Sequence, residues 1–351
     1  MTGQHAARWT LTVALLAGGA SSPLDGADIV ATRFRENPLI TLRSSPIIGD
    51  NANGPTVIRV PSWVARPLGR YYMYFAHHSG SFIRLAYADS LRGPWTVHDG
   101  AVLPVDRTAF FRPQPDPVNS PPGVYTHLAS PEIYIDEARQ RLILWVHGMW
   151  TEGQRWPEDR ADAARWVQAR GYAQFTQAAE STDGLSFRTH PAITKQSYLR
   201  VFRHQGTLYG MARLGQMLRA SDPLEVFEPG ASPFAASPYA ARVRHVALLP
   251  DGGTLHVFFS AIGDAPEEIL HTTIALEGDW RQWRIGAVDK VLHPEAPYEC
   301  TELPTVRSEV GEIDRPARQL RDPAVIRDGG TAYLFYTFCG EQGIAGAEVR
   351  W

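Results

Sequence analysis

Residues 320–337 read LRDPAVIRDGGTAYLFYT, and this stretch decides the fold. Asp322-Pro323-Ala324 opens an apolar run, and Asp328-Gly329-Gly330 turns it back, since glycines adopt the positive φ that a tight hairpin requires. Thr331-Ala332-Tyr333-Leu334-Phe335-Tyr336 then carries an apolar or aromatic residue at nearly every position. A strand with no polar face is covered on both sides. Outward from this stretch the same unit recurs. PTVIRV and GRYYMYFAHHSG, followed by IRLAYADSLRGPWTV, form a first copy from Pro55 to about Val97. SPEIYIDEARQRLILWVHG (130–148), with FTQAAESTDGLSF (175–187), forms a second. A third is YLRVFRHQGTLYGMARLGQMLRASDPLEVF (198–227), and a fourth begins HVALLPDGGTLHVFFS (245–260). The fifth runs DPAVIRDGGTAYLFYTFCGEQGIAGAEV (322–349). A unit of three or four strands in five copies predicts an all-β fold: a five-bladed β-propeller of mostly four-stranded antiparallel blades around a central channel.

Composition agrees with one such domain over residues 28–351. Propellers grow by adding blades to one axis, so 351 residues do not force a division. The aromatic share of 11% suits stacked blade faces. A net charge of −3 with no basic run provides no footprint for nucleic acid. Residues 1–27, beginning MTGQHAARWTLTVALLAGGASS, have one Arg, a short apolar run and small residues, the pattern of a signal peptide. The run is too short to span a bilayer, so the expectation is a secreted or periplasmic protein without a membrane anchor. Two cysteines, Cys300 and Cys339, make no disulfide framework and no zinc pattern. They read at least as well as buried free thiols as they do as a bridge. Residues 157–170 are a helical insertion in the second blade, read as a surface ornament in preference to a lid.

Aligning the copies locates the axis. Gly54-Pro55-Thr56, Ser130-Pro131-Glu132, Tyr198-Leu199-Arg200, His245-Val246-Ala247 and Asp322-Pro323-Ala324 occupy equivalent places. First strands line a propeller's channel, so Glu132, Arg200, His245 and Asp322 are expected in one layer, some as buried ion pairs such as Arg200 with Asp322.

With these pieces the chain resembles the five-bladed propeller glycosidases, glycoside hydrolase family 43 and its relatives in families 32, 62, 68 and 117. LRDPAVIRDGGTAYLFYT (320–337) and IRLAYADSLRGPWTVH (83–98) carry the resemblance. It implies glycosidic bond cleavage by carboxyl groups, one as base or nucleophile and one protonating the leaving oxygen, with their separation setting the stereochemistry. Glu132, Asp322 and Glu299 are the carboxyl candidates. Glu299-Cys300 is similar to a motif holding the acid in family 32, although here it follows the fourth blade. The resemblance places a catalytic Asp at the opening of the first blade, where this chain has Asn53-Gly54-Pro55. Asp50, four residues upstream of Gly54, either reaches the channel as base or organises its turn.

His77 and His78 end the second strand of the first blade, and His147 ends the corresponding strand of the second. Histidine exchanges protons near neutral pH, and in family 117 a histidine is implicated as acid. His127 is a weaker candidate. Trp63, Trp145, Trp150 and Phe82 are candidates for stacking on sugar rings, and Arg59, Arg84, Arg200 and Arg244 for holding hydroxyls or a uronate carboxylate. The expected partner is therefore a carbohydrate. No cofactor is required, though the axis leaves room for a structural calcium or other metal ion. Two alternatives to a hydrolase stand. One is a polysaccharide lyase using His, Tyr and Arg on a uronate; the other is a carbohydrate-binding propeller without catalysis.

Overall fold

The computed structural model describes residues 29–111, 126–154 and 160–351. The leader segment lies outside the described residues. Within them, five antiparallel sheets form the five blades. Their innermost strands are Asn53–Arg59, Ala129–Asp136, Arg200–His204, Val243–Asp251 and Arg321–Asp328, in the order of the repeats. Each of these strands packs against its neighbours around the axis, the fifth against the first. None of the described helices is long and apolar enough to cross a membrane.

The doubly covered second strands explain how the blades hold together. In Tyr71–Ala76 every residue is buried. Side chains alternate between faces along a strand. Tyr72 and Tyr74 therefore pack towards Leu142 and Leu144 of blade 2, while Tyr71, Met73 and Phe75 pack towards Phe335 and Ile344 of blade 5. Blade 2 repeats the arrangement, with Ile143 and Trp145 facing Leu208 and Leu218 of blade 3. Further clusters fill the interfaces of blades 3 and 4 and of blades 4 and 5. Each blade interface thus has its own apolar core.

Two features of the closure go beyond the sequence reading. The outer strand of blade 5 is Val30–Arg33, which pairs with Gly343–Arg350, so the two ends of the described propeller share one sheet. Cys300 and Cys339 are not free thiols: they form a disulfide closing a separation of 39 residues. The bond ties the segment before blade 5 to the turn after its second strand.

The repeat is visible in the backbone at the channel mouth. Blades 1, 2, 4 and 5 each have a register shift where the inner strand opens. The first residue of the aligned triplet has a positive φ in four blades: Gly54, Ser130, Tyr198 and Asp322. At Gly54 no other residue fits without movement, because a Cβ would lie 2.9 Å from the Cα of Ser130.

Candidate functional site

The bulged openings split the expected single layer into two. Glu132 and Arg200 form the deeper one. Arg200 Nη1 donates to Glu132 Oε2 at 2.9 Å, and the backbone N–H of Val201 and the Thr56 hydroxyl donate to the same carboxylate. The guanidinium also donates to the carbonyls of Pro55, Pro131 and Val246, which belong to blades 1, 2 and 4. Burial raises the Glu132 pKa, against the pull of Arg200. Arg200 therefore pairs with Glu132 and not with Asp322.

The upper layer centres on Asp322, His245, His78 and Glu341. Asp322 is fully buried. Its carboxylate lies directly against His245 Nδ1 and accepts from the Gly54 N–H and the Thr337 hydroxyl. Burial opposes its ionisation, but His245, Arg321 and His78 prevail and hold it well below the usual carboxylate range. Burial outweighs Asp322 at His245, whose pKa is lowered.

Glu341, which the sequence reading missed, supplies the carboxylate at the opening of blade 1. It reaches there from blade 5. Its Oε2 accepts from the side-chain amides of Asn51 at 2.7 Å and Asn53 at 3.1 Å, and lies 2.8 Å from His78 Nδ1. Burial alone would disfavour a charged His78, yet Glu341 raises its pKa above the ordinary value. Glu341 is correspondingly held down, against burial, by His78 and by Arg321 beyond it. Behind it, Arg321 and Arg244 share the fully buried Glu267 and both donate to the Gly311 carbonyl. These guanidiniums thus tie the carboxylate cluster to the segment carrying Glu312.

Above this layer a cavity of about 760 Å³ opens at the axis. His78, Tyr198, Arg213, Arg244 and Glu312 contribute to its wall. Tyr198 lies between His147 and His245, with ring centroids 4.2 and 4.3 Å away. His147 is 1% exposed, and neither of its ring nitrogens has a hydrogen-bond partner among the described residues. Burial holds it well below its ordinary pKa, as a neutral ring. The insertion helix, Arg160–Ala169, is more than an ornament. Val167 packs with Met149 and Tyr172, and Val167 and Met149 form part of the cavity wall.

Other candidates lie elsewhere. Glu299 is fully buried against the outer strand of blade 5, accepting from Arg33, from Tyr336 and from the backbone of Glu295 and Ala296. Asp50 is an exposed side chain paired with His77 at 2.6 Å. Arg59 bonds Asp328, and Trp63 bonds Glu137. Arg59 ends, and Trp63 follows, a seven-residue strand that begins at Asn53, and Arg59 is roughly 20 Å from that opening. Trp145 fills the core between blades 2 and 3, and Trp150 packs on Tyr172 and Phe175. Arg84 lies over the Phe82 ring and donates to the Ile47 carbonyl. His127 is buried, with Nε2 3.2 Å from the Gln174 amide. Among the described residues no group of three or more His, Cys, Asp or Glu side chains is arranged to hold a metal ion.

The second-strand ends were the signal that would have found Glu341. His78 follows the end of Tyr71–Ala76, whereas His147 does not end its strand but lies inside Arg141–Trp150. Blade 3 has Arg213 there, immediately after Thr207–Ala212, and blade 5 has Glu341, shortly after Thr331–Thr337.

This is a propeller of the kind seen in glycoside hydrolase family 43. A family 43 protein of Bacillus licheniformis superposes with a TM-score of 0.55 over 91% of this chain at 11% identity, the chain spanning 54% of that protein's length. An α-L-arabinofuranosidase of Lactobacillus brevis gives 0.54 at 13% identity, over 91% of this chain and 95% of the enzyme. A β-xylosidase/α-arabinofuranosidase from a compost metagenome, in complex with xylotriose, gives 0.53 at 12% identity, over 92% and 94%. At such identities the likeness is one of fold. No family model matches the sequence. Uncharacterized protein R118 of Acanthamoeba polyphaga mimivirus is 32% identical over 349 residues, covering 93% of this chain and 92% of the viral protein, and the chain belongs to the same family as that protein.

Proposed function

We propose that the protein is an exported glycoside hydrolase working in the axial cavity on a polysaccharide or its oligosaccharides. The observation that carries this reading is His78 in the cavity wall, paired with the buried Glu341 behind it. A histidine whose charged form is favoured by a buried carboxylate is a proton donor at neutral pH, suited to protonating a leaving glycosidic oxygen. Glu312, exposed on the same wall, takes the part of base or nucleophile. Asp322 and Glu341 place negative charge beneath an oxocarbenium-like transition state. Glu132, whose oxygens are engaged by Arg200, Thr56 and Val201, serves as an axial clamp in this reading. The disulfide supports export, because such bonds persist in oxidising compartments.

The test is hydrolysis of a panel of aryl glycosides and polysaccharides by the wild type and by His78→Gln. The variant should lose about 10²–10⁴-fold in turnover with its fold retained by circular dichroism. Undiminished hydrolysis by that variant sinks the assignment.

A second reading has its own observation. His78, Tyr198 and Arg213 share the cavity, whereas Glu312 and Asp314, two carboxyls of its wall, come from a single loop. That set suits proton abstraction beside a uronate carboxylate, with an arginine neutralising the developing charge. Products absorbing in the ultraviolet would establish elimination in place of hydrolysis. Saccharide binding with no turnover of either kind would mark a non-catalytic propeller.

A further inference from the structure

The cavity is electrically divided. Lys195 and Arg213 lie on the side built by blades 2 and 3, while Glu312 and Asp314 belong to the connection between blades 4 and 5. The acidic groups have partners: Asp314 faces Arg315, and Glu312 accepts from the Ser79 hydroxyl. Arg244 is committed to Glu267. Neither Lys195 nor Arg213 has an acidic partner among the described residues.

The backbone at Arg213 is also held in place. Its N–H donates to the Ser197 carbonyl at 2.9 Å, two residues beyond Lys195. The turn that follows has Leu214 at φ 60 and Gly215 at φ 72. A left-handed leucine is uncommon, and such strain persists where the surroundings enforce it, often at binding sites. Here they do: Ser232 donates to the Leu214 carbonyl, and a Cβ at Gly215 would meet the Phe234 ring at 2.5 Å. Arg213 and Tyr198 line the same cavity.

From this polarity we infer that the cavity takes a sugar bearing a carboxylate, a uronate unit, with that carboxylate seated on Arg213 beside Lys195. The planar guanidinium matches a carboxylate through two parallel hydrogen bonds. The sugar ring then rests on Tyr198, with its glycosidic oxygen towards His78. The inference rests on the cavity being the saccharide site proposed above, and it serves hydrolysis and elimination alike.

The experiment measures binding without turnover. Affinities of the whole protein for the methyl glycosides of glucuronic, galacturonic and mannuronic acid are compared with those for methyl glucoside, galactoside and mannoside by ligand-observed NMR. At least one uronoside should bind about tenfold more tightly than its neutral counterpart, with the margin shrinking as salt is added. Arg213→Gln should bring the pair within about twofold by weakening the uronoside more than the neutral glycoside, and Arg213→Lys should keep part of the margin. Equal affinities in the wild type, binding of none of the six, or a preference that survives Arg213→Gln each overturn the inference. A uronoside-preferring protein whose His78→Gln variant turns over normally would refute the catalytic assignment and leave this one standing. Catalysis without uronoside preference would do the reverse.

Discussion

The two layers of the axis are built from neighbouring positions of one repeat, yet they differ in what they leave open. In the lower layer the Glu132 carboxylate and the Arg200 guanidinium are matched, the latter reaching carbonyls in three other blades. In the upper layer a comparable charge density lies next to a cavity, and one of its members, His78, forms part of the cavity wall. A closed set of paired charges fixes geometry. An open set with a histidine at its edge can exchange a proton. The distinction arises from the bulges, which send successive side chains of the inner strands to different heights.

The comparison can be broken first at Arg200. Replacing it with Met leaves Glu132 unpaired and three carbonyls without their donor, and removal of one partner of a buried pair costs about 3–5 kcal/mol. Denaturant unfolding should show that loss for Arg200→Met and a much smaller one for His78→Gln. Similar losses for the two variants would erase the division into clamp and site.

The disulfide sharpens the upper layer with a smaller effect. Cys339 lies two residues before Glu341, and both Cys339 and Gly340 have a left-handed backbone. The pair Cys300→Ser and Cys339→Ser should cost about 2–4 kcal/mol, the range for loops of this kind. Turnover should fall along with it, because the turn that aims Glu341 is released. Activity that is wholly retained would separate the disulfide from the site.

The smallest effect is a pH dependence of opposite sign in two regions. The folded-state pKa of His78 is raised, so its contribution to stability is complete below the ordinary value of 6.5 and is lost as pH rises through the raised value. His271, whose Nε2 lies 3.0 Å from His256 Nδ1, is pushed by burial down to about 4. Its contribution is present above 6.5 and is lost as pH falls towards 4. Thermal midpoints across pH should therefore decline on both sides, with His78→Gln flattening the alkaline limb, and altering the acid limb only through the carboxylates that His78 holds down. An unchanged alkaline limb in that variant would mean that Glu341 does not stabilise charge on His78.

Much of this was legible in the chain. The two aromatic runs with apolar residues on both faces, and the turns at Asp251-Gly252-Gly253 and Asp328-Gly329-Gly330, specify strands and hairpins through local preferences. Repetition then counts the blades, because each copy has to bury both faces against its neighbours. Alignment also placed Asp322, His245 and His78 near the axis. It could not separate Glu132 from Asp322 in height, because a bulge depends on pairing with the next strand.

Glu341 and Asn53 show where sequence reading ends. Asn53 stands where the family resemblance calls for an acid, and the carboxylate beside it arrives from a residue 288 positions away. Such a contact is created by closing the ring: Val30–Arg33 joins blade 5, Arg33 engages Glu299, and blade 5 is brought against blade 1. The sequence by itself determined the strands, their number and the end of the axis at which titratable groups gather, since these follow from short-range pattern and burial. Only the tertiary structure decided which charges pair and which face the cavity, since that depends on distances between blades that no local pattern encodes.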